Sequence, residues 1–351
     1  MKLPVSPPVD PMLAKLVSEL PEADDLRYEP KWDGFRSIVF RDGDEIELSS
    51  RNSRPLTRYF PELAESLKAA LPARCVVDGE IVIASDGGLD FEALLQRIHP
   101  AESRIQKLAA ETPSSYVAFD LLALGDDDLS GRPFGERRTK LEKVLRKFGP
   151  GDPVQITPQT TEVHRAADWL ERFEGAGLDG VVAKSAGLPY QPGKRVMWKI
   201  KHERTADCVV AGFRDHKQDG VGSLVLGLYD DGGALHHVGV CSGFSAQRRQ
   251  ELIKELAPHR LKKGEIHPWQ AMAGAGPTAS RWKSQAELDL HPLRPTLVCE
   301  VAYDHRQGDR FRHATSFRRW RPDRDAASCT FDQLEVVAPI ELADVFGDSG
   351  H

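Results

Sequence analysis

Apolar residues in the first two hundred positions come in short runs that alternate with segments of helical spacing. Residues 36–40 and 45–49 are strand-like and flank Asp42-Gly43-Asp44, a hairpin signal. Residues 61–70 put Leu63, Leu67 and Ala70 on one face, which predicts a helix. Residues 75–84 read as a strand ending at the turn Asp86-Gly87-Gly88, residues 90–98 as a helix, and residues 116–124 as an apolar strand. Helices are predicted over 133–148, with Pro133 in the first turn, and over 163–175. Strands over 179–185 and 195–201 complete this half.

The pattern then changes. Residues 208–213, 223–229, 234–241 and 297–303 are strand-like, separated by glycine and aspartate turns, with a single helix over 246–256. Several short strands with one helix suggest a small barrel, the OB type being the natural candidate. The charged stretch His202-Glu203-Arg204-Thr205 places the boundary near 201–207, so the expected domains are 1–201 and 202–351. Residues 273–280 are rich in Gly, Ala and Pro and are expected to form an exposed loop. The fold class predicted is α+β, without internal repeats.

A length of 351 residues suits two domains, and 40% hydrophobic with 28% charged residues is an ordinary globular balance. No apolar run approaches the ~18 residues that span a bilayer, and residues 1–13 lack an apolar signal core, so neither membrane insertion nor export is expected. Cys75, Cys208, Cys241, Cys299 and Cys329 are widely spaced with no CxxC pair, which argues against a zinc module or disulfide framework and for a reducing cytosol. The charge sum, 47 − 53 = −6, excludes a wholly basic nucleic-acid coat but not a local basic surface.

Lys31-Trp32-Asp33-Gly34-Phe35-Arg36 sits on a turn before a strand. A lysine attacks phosphorus only as the neutral amine, which burial or nearby cations favour. Asp33 can orient it, and Arg36 offers a planar fork for phosphate or ribose oxygens; alone, the pattern also suits a surface turn. Lys199 and Lys201 alternate around Ile200 and share a strand face, catalytic or merely solvated. Glu80, in the apolar run 76–82, needs a partner, and Asp78 points to the same side. Seven arginines at 306, 310, 312, 318, 319, 321 and 324 are interleaved with Phe311, Phe317 and Trp320, which suits phosphate contact and stacking as well as a polar barrel face.

These elements fall in a recognisable order. Lys31-Trp32-Asp33-Gly34-Phe35-Arg36 resembles motif I of the covalent nucleotidyltransferases, the superfamily of DNA ligases, RNA ligases and capping enzymes. Ser50-Arg51-Asn52 resembles motif Ia, Asp78-Gly79-Glu80 motif III and Phe119-Asp120-Leu121-Leu122 motif IIIa. Asp179-Gly180-Val181-Val182-Ala183-Lys184 resembles motif IV, Trp198-Lys199-Ile200-Lys201 motif V, and Arg319-Trp320-Arg321-Pro322-Asp323-Arg324 motif VI. The wording is most similar to bacterial ATP-dependent DNA ligases of the stand-alone ligase C type and the ligase domain of ligase D.

The resemblance implies an adenylation domain of antiparallel sheets with flanking helices, followed by an OB-fold domain that swings about the boundary. It implies a DNA repair enzyme using ATP that seals nicks in duplex DNA. Lys31 would be the nucleophile that holds AMP, with Lys199 and Lys201 offsetting charge on the transferring phosphate. Glu80 and Arg36 would bind the ribose, Phe119 would stack on adenine, and Glu29 would help hold the adenine or a metal. Asp179 would bind Mg²⁺ or Mn²⁺, although many relatives carry Glu there. Arg51 would take the 5′-phosphate of the nick. Arg321 belongs to the stretch that orients pyrophosphate, where Arg324 replaces the usual closing lysine. A cytoplasmic, nucleoid-associated monomer is implied, with a repair polymerase or primase-polymerase as possible partner. The rivals are an RNA ligase, a capping guanylyltransferase and a non-catalytic nucleic-acid-binding module with a decayed nucleotide pocket. Intact Lys31, Glu80, Lys199 and Lys201 weigh against the last.

Overall fold

The longest apolar runs become the central strands of a sheet. Ser115–Leu124 and Arg74–Val82 are buried along almost their whole length because both faces of the sheet are covered. In this computed structural model, which describes residues 1–85, 88–149, 151–201, 204–271, 290–304, 306–334 and 340–347, the sheet runs Val154–Ile156, Ser115–Leu124, Arg74–Val82, Phe35–Asp42, Glu45–Ser50. Asp127–Asp128 adds a short strand beside Ser115–Leu124. Pairing is antiparallel except for the parallel strand Val154–Ile156.

Alternation sends side chains to two layers. Val39, Val77, Tyr116 and Leu121 meet Leu63 and Leu67 of helix Pro61–Ala70 and Leu141 and Leu145 of helix Phe134–Leu145. Ile38, Phe40, Val76 and Leu122 face the other way and join Met12, Tyr190 and Met197. Those three residues lie on or beside a second sheet, ordered Leu13–Leu16, Arg195–Ile200, Val181–Ser185, Leu26–Pro30. Its first pair is parallel and the other two are antiparallel. Side chains from both sheets line one cleft.

The chain divides into two compact units, Met1–His202 with Val337–His351, and Glu203–Val336. The expected second domain, 202–351, is therefore corrected at its C-terminal end. Helix Leu342–Gly347 returns to the first unit, where Val345 is fully buried in the cluster of Trp32, Trp169 and Phe173.

The second unit is built on the sheet Leu235–Cys241, Val221–Tyr229, Arg204–Asp215, Val298–Tyr303, Ser316–Trp320, with Leu290–Pro292 also paired to Arg204–Asp215. Thr315 bridges Cys241, and its amide donates to the Val240 carbonyl at 2.8 Å. The last strand thus meets the first and the sheet closes into a barrel of the OB type. Helix Ala246–Leu256, capped by the Ser245 hydroxyl accepting from the Arg248 amide, contributes Leu252 and Leu256 to its core.

Several elements differ from the sequence reading. The polar stretch taken as a linker is already strand from Arg204, whose register partner is Tyr303. Its outward alternation, with Thr205 exposed and Ala206 buried, makes a barrel strand look like a polar connection. Strands Leu13–Leu16 and Leu26–Pro30 are too short, and helix Glu102–Glu111 too polar, to give a strong periodic signal. The loop predicted over 273–280 lies outside the described residues, as do two residues of the turn at 86–88. Among the described residues no helix is long and apolar enough to cross a membrane.

Candidate active site

Lys31 follows directly on strand Leu26–Pro30. Its amide donates to the Gly180 carbonyl at 2.8 Å and its carbonyl accepts from the Asp179 amide at 3.2 Å, so the two motif loops are joined backbone to backbone. Glycines in both loops permit close approach to the neighbouring strands. A Cβ on Gly180 would lie 2.0 Å from the Ile200 carbonyl oxygen, at a φ of +142°, and one on Gly34 would lie 2.2 Å from the Ile81 carbonyl oxygen.

The side chains continue the contact. Lys31 Nζ lies 2.5 Å from Asp179 Oδ1, and Lys201 Nζ lies 2.7 Å from Oδ2. Burial alone would raise the Asp179 pKa. Lys31 and Lys201 outweigh it and hold the carboxyl below the usual carboxylate range. The sequence places like charge around Lys31; the structure puts a carboxylate against it. Burial first, and then Lys31 and Lys201, lower the pKa of Lys199. Lys199 lines the cleft.

Arg36 lines the cleft. Its Nε and Nη2 donate to the two oxygens of Asp78, each at 2.6 Å, and Tyr190 Oη donates to the same carboxylate at 2.7 Å. The Met12 amide donates to Tyr190 Oη at 3.1 Å. This chain of bonds fixes the guanidinium 4.3 Å from the centre of the Phe119 ring. Lys184 Nζ is 4.8 Å from the same ring. Phe119 is 7% exposed and lines the cleft, so it is both core and wall.

Glu29 is a buried carboxylate with three partners. Lys184 Nζ is 2.6 Å from Oε2, Gln159 Nε2 donates to Oε1 at 2.9 Å, and Arg138 lies 3.3 Å from Oε1. Glu80 is its opposite. It lines the cleft and has no hydrogen-bond or ion-pair partner among the described residues. Burial pushes its carboxyl up to about 7, with Arg36 and Lys31 pulling the other way.

Of the predicted residues, Glu29, Lys31, Arg36, Arg51, Glu80, Phe119 and Lys199 line this one cleft, and Asp179 and Lys201 join it through the Lys31 ion pair. Arg51 is exposed at its edge. Arg321 lies in the second unit, where Asp207 and Asp323 hold its guanidinium at 2.8 Å each. Sequence reasoning gave no role to Lys184, Met12 or Tyr190. Lys184 stands at the end of the motif containing Asp179, which is a usable signal; Met12 and Tyr190 carry none. Asp120 in the motif after Phe119 is structural, in a bidentate pair with buried Arg137 at 2.8 Å.

For a metal the donor set is poor. Among the described residues no group of three His, Cys, Asp or Glu could hold an ion, and both oxygens of Asp179 already accept ammonium groups. A divalent ion at Asp179 would have to share that carboxylate with Lys31 and Lys201, with waters and substrate phosphates supplying the remaining oxygens.

A lysine held by a carboxylate in a cleft between two sheets, in a chain that goes on to a closed small barrel, has the architecture of a covalent nucleotidyltransferase. Residues 11–201 match the family model of the ATP dependent DNA ligase domain, and residues 217–324 that of the ATP dependent DNA ligase C terminal region. The chain belongs to the ATP-dependent DNA ligase family. It is 55% identical over 356 residues to DNA ligase C of Mycobacterium tuberculosis, covering 98% of this chain and 99% of that protein. It is 56% identical over 346 residues to DNA ligase C2 of Mycolicibacterium smegmatis, covering 95% and 96%. A multifunctional non-homologous end joining DNA repair protein, LigD of Mycobacterium tuberculosis, is 29% identical over 86% of this chain and 37% of its own length. Among solved structures, a Lig E DNA ligase shares the fold at a TM-score of 0.52 and 19% identity, covering 89% of this chain and 99% of that one.

Proposed function

We propose that this ligase seals 5′-phosphate/3′-hydroxyl nicks in duplex DNA through an AMP held covalently on Lys31. The observation that carries the assignment is the position of Lys31, ion-paired through its Nζ and lining one cleft together with Glu29, Arg36, Glu80 and Lys199. The Lys31 ammonium first gives up a proton to solvent, then its nitrogen forms a bond to the α-phosphorus of ATP as the bond from that phosphorus to the bridging oxygen breaks and pyrophosphate leaves. The AMP next passes to the DNA 5′-phosphate, and the 3′-hydroxyl displaces it. Each step is a phosphoryl-type transfer, so the protein contributes mainly position and charge.

Asp179 remains anionic and orients the Lys31 amine. Lys199 and Lys201 offset charge on the reacting phosphate. Glu80, without a partner among the described residues, accepts from a ribose hydroxyl, and Arg36, fixed by Asp78, contacts the same sugar. Glu29, held by Lys184 and Arg138, forms the end of the cleft that takes the base beside Phe119. Arg51 takes the nick phosphate and Arg321 acts on pyrophosphate from the barrel. Any Mg²⁺ or Mn²⁺ would be shared between the Asp179 carboxylate and the triphosphate. DNA repair is the setting supported by the end-joining name of one relative; a cytoplasmic monomer working with a repair polymerase or primase-polymerase belongs to the same proposal.

The test is sealing of a labelled nicked duplex with ATP. Joining of a 5′-phosphate nick, and none of a 5′-hydroxyl nick, supports the proposal. Joining that proceeds equally without ATP, from AMP-free protein, contradicts it.

A further inference from the structure

We propose that Phe346, at the C-terminal end of the described chain, is a positioning residue for Lys31 and acts through Trp32. Trp32 directly follows Lys31 and is 5% exposed. Its indole Nε1 donates to Thr157 Oγ1 at 2.8 Å. Its ring lies stacked on Phe346, with centroids 5.0 Å apart and planes 25° from parallel. The indole is therefore held from two directions by residues far away in sequence. The aromatic contact comes from a helix that reaches the first unit only after the chain has built the second.

That helix is anchored independently of Phe346. Val345 is fully buried, Ile340 and Leu342 pack against the same cluster, and the Ile340 amide donates to the Gly175 carbonyl at 3.3 Å. On its other side Lys31 is held through its own amide and carbonyl by Gly180 and Asp179. Consecutive Cα atoms are ~3.8 Å apart, so a shift of Trp32 is felt at Lys31 with little attenuation. Attack on phosphorus is sensitive to such shifts: about 1 Å of misplacement costs on the order of 100-fold in rate. The C-terminal helix thus closes the support of the nucleophile from behind, while the cleft face of Lys31 stays open to substrate.

The inference rests on Lys31 being the nucleophile, and the test separates the two. Full-length Phe346→Ala and Phe346→Tyr are compared with the unaltered protein in two single-turnover reactions. One is formation of the protein–AMP adduct from ATP, read by intact mass. The other is sealing of a nick whose 5′ end already carries AMP, which requires no attack by Lys31. Phe346→Ala is expected to slow adduct formation about tenfold or more and to leave KM for ATP and the sealing of the pre-adenylated nick within about twofold. Phe346→Tyr, which keeps the stack, restores the first rate. An unchanged adduct rate in Phe346→Ala, or an equal fall in both reactions, overturns the proposal, the second result marking a merely structural contact. An adduct formed at full rate by Lys31→Ala would instead remove the assignment of Lys31 itself.

Discussion

Glu80 gives a prediction in which stability and function oppose each other. Its carboxyl faces the cleft without a partner among the described residues, and burial pushes its pKa from an ordinary 4.5 to about 7. A carboxyl with a raised pKa binds its proton more tightly in the folded state than in the unfolded one. The folded protein is therefore destabilised as pH rises from 4.5 through 7, and the loss is complete above 7. At about 1.4 kcal/mol per pH unit, the span from 4.5 to about 7 is worth about 3 kcal/mol. This is an upper limit, because the side chain retains some access to solvent. Glu80→Gln never ionises and escapes the loss. Denaturant unfolding of AMP-free protein, followed by tryptophan fluorescence, is expected to show the variant more stable than the parent at pH 8. The gap should close as pH falls through 7 and be nearly gone below 4.5. Adenylation by the variant should be slower, since the anion that would receive the ribose hydroxyl is missing. The same gap at pH 5 and pH 8, or a parent more stable than the variant at pH 8, would refute the reasoning.

Other consequences are equally direct. Asp78→Ala leaves Arg36 without its carboxylate and Tyr190 without its acceptor, and is expected to cost about 3–5 kcal/mol in denaturant unfolding while raising KM for ATP. Gly180→Ala forces a Cβ to 2.0 Å from the Ile200 carbonyl oxygen at a φ of +142°; a loss above about 2 kcal/mol and failure to form the AMP adduct are expected. All five cysteines are buried and burial raises the pKa of each, to about 11 for Cys241 and Cys329 and about 12 for Cys75. A thiol reagent at neutral pH should therefore modify none in the native protein and all five after unfolding.

The parts legible in the sequence were those where one short segment carries both the structural and the chemical signal. The strand Arg74–Val82 is apolar enough to identify itself, and Asp78 and Glu80 stand out within it because carboxylates conflict with that setting. Lys31, Gly34 and Arg36 share a turn, and Asp179 and Gly180 share another, so spacing alone relates them. Contacts across the cleft were not legible. Tyr190 reaches Asp78 from a loop 112 positions away, and nothing in its neighbourhood marks it. Barrel strand Arg204–Asp215 was shortened because its first residues alternate polar and small. The return of helix Leu342–Gly347 to the first unit was invisible because the helix is only 6 residues long and its partners, Trp32 and Trp169, lie in segments that read as complete without it. Charge effects were misplaced for the same reason: Lys199 and Lys201 were visible as neighbours, but not the carboxylate that separates Lys201 from Lys31.

The most direct measurement is the intact mass of AMP-free protein after incubation with ATP and a divalent metal, followed by peptide mapping. The account predicts a gain of one AMP, located on Lys31, and no gain in Lys31→Ala. An adduct on any other residue, or one that persists in Lys31→Ala, would contradict it.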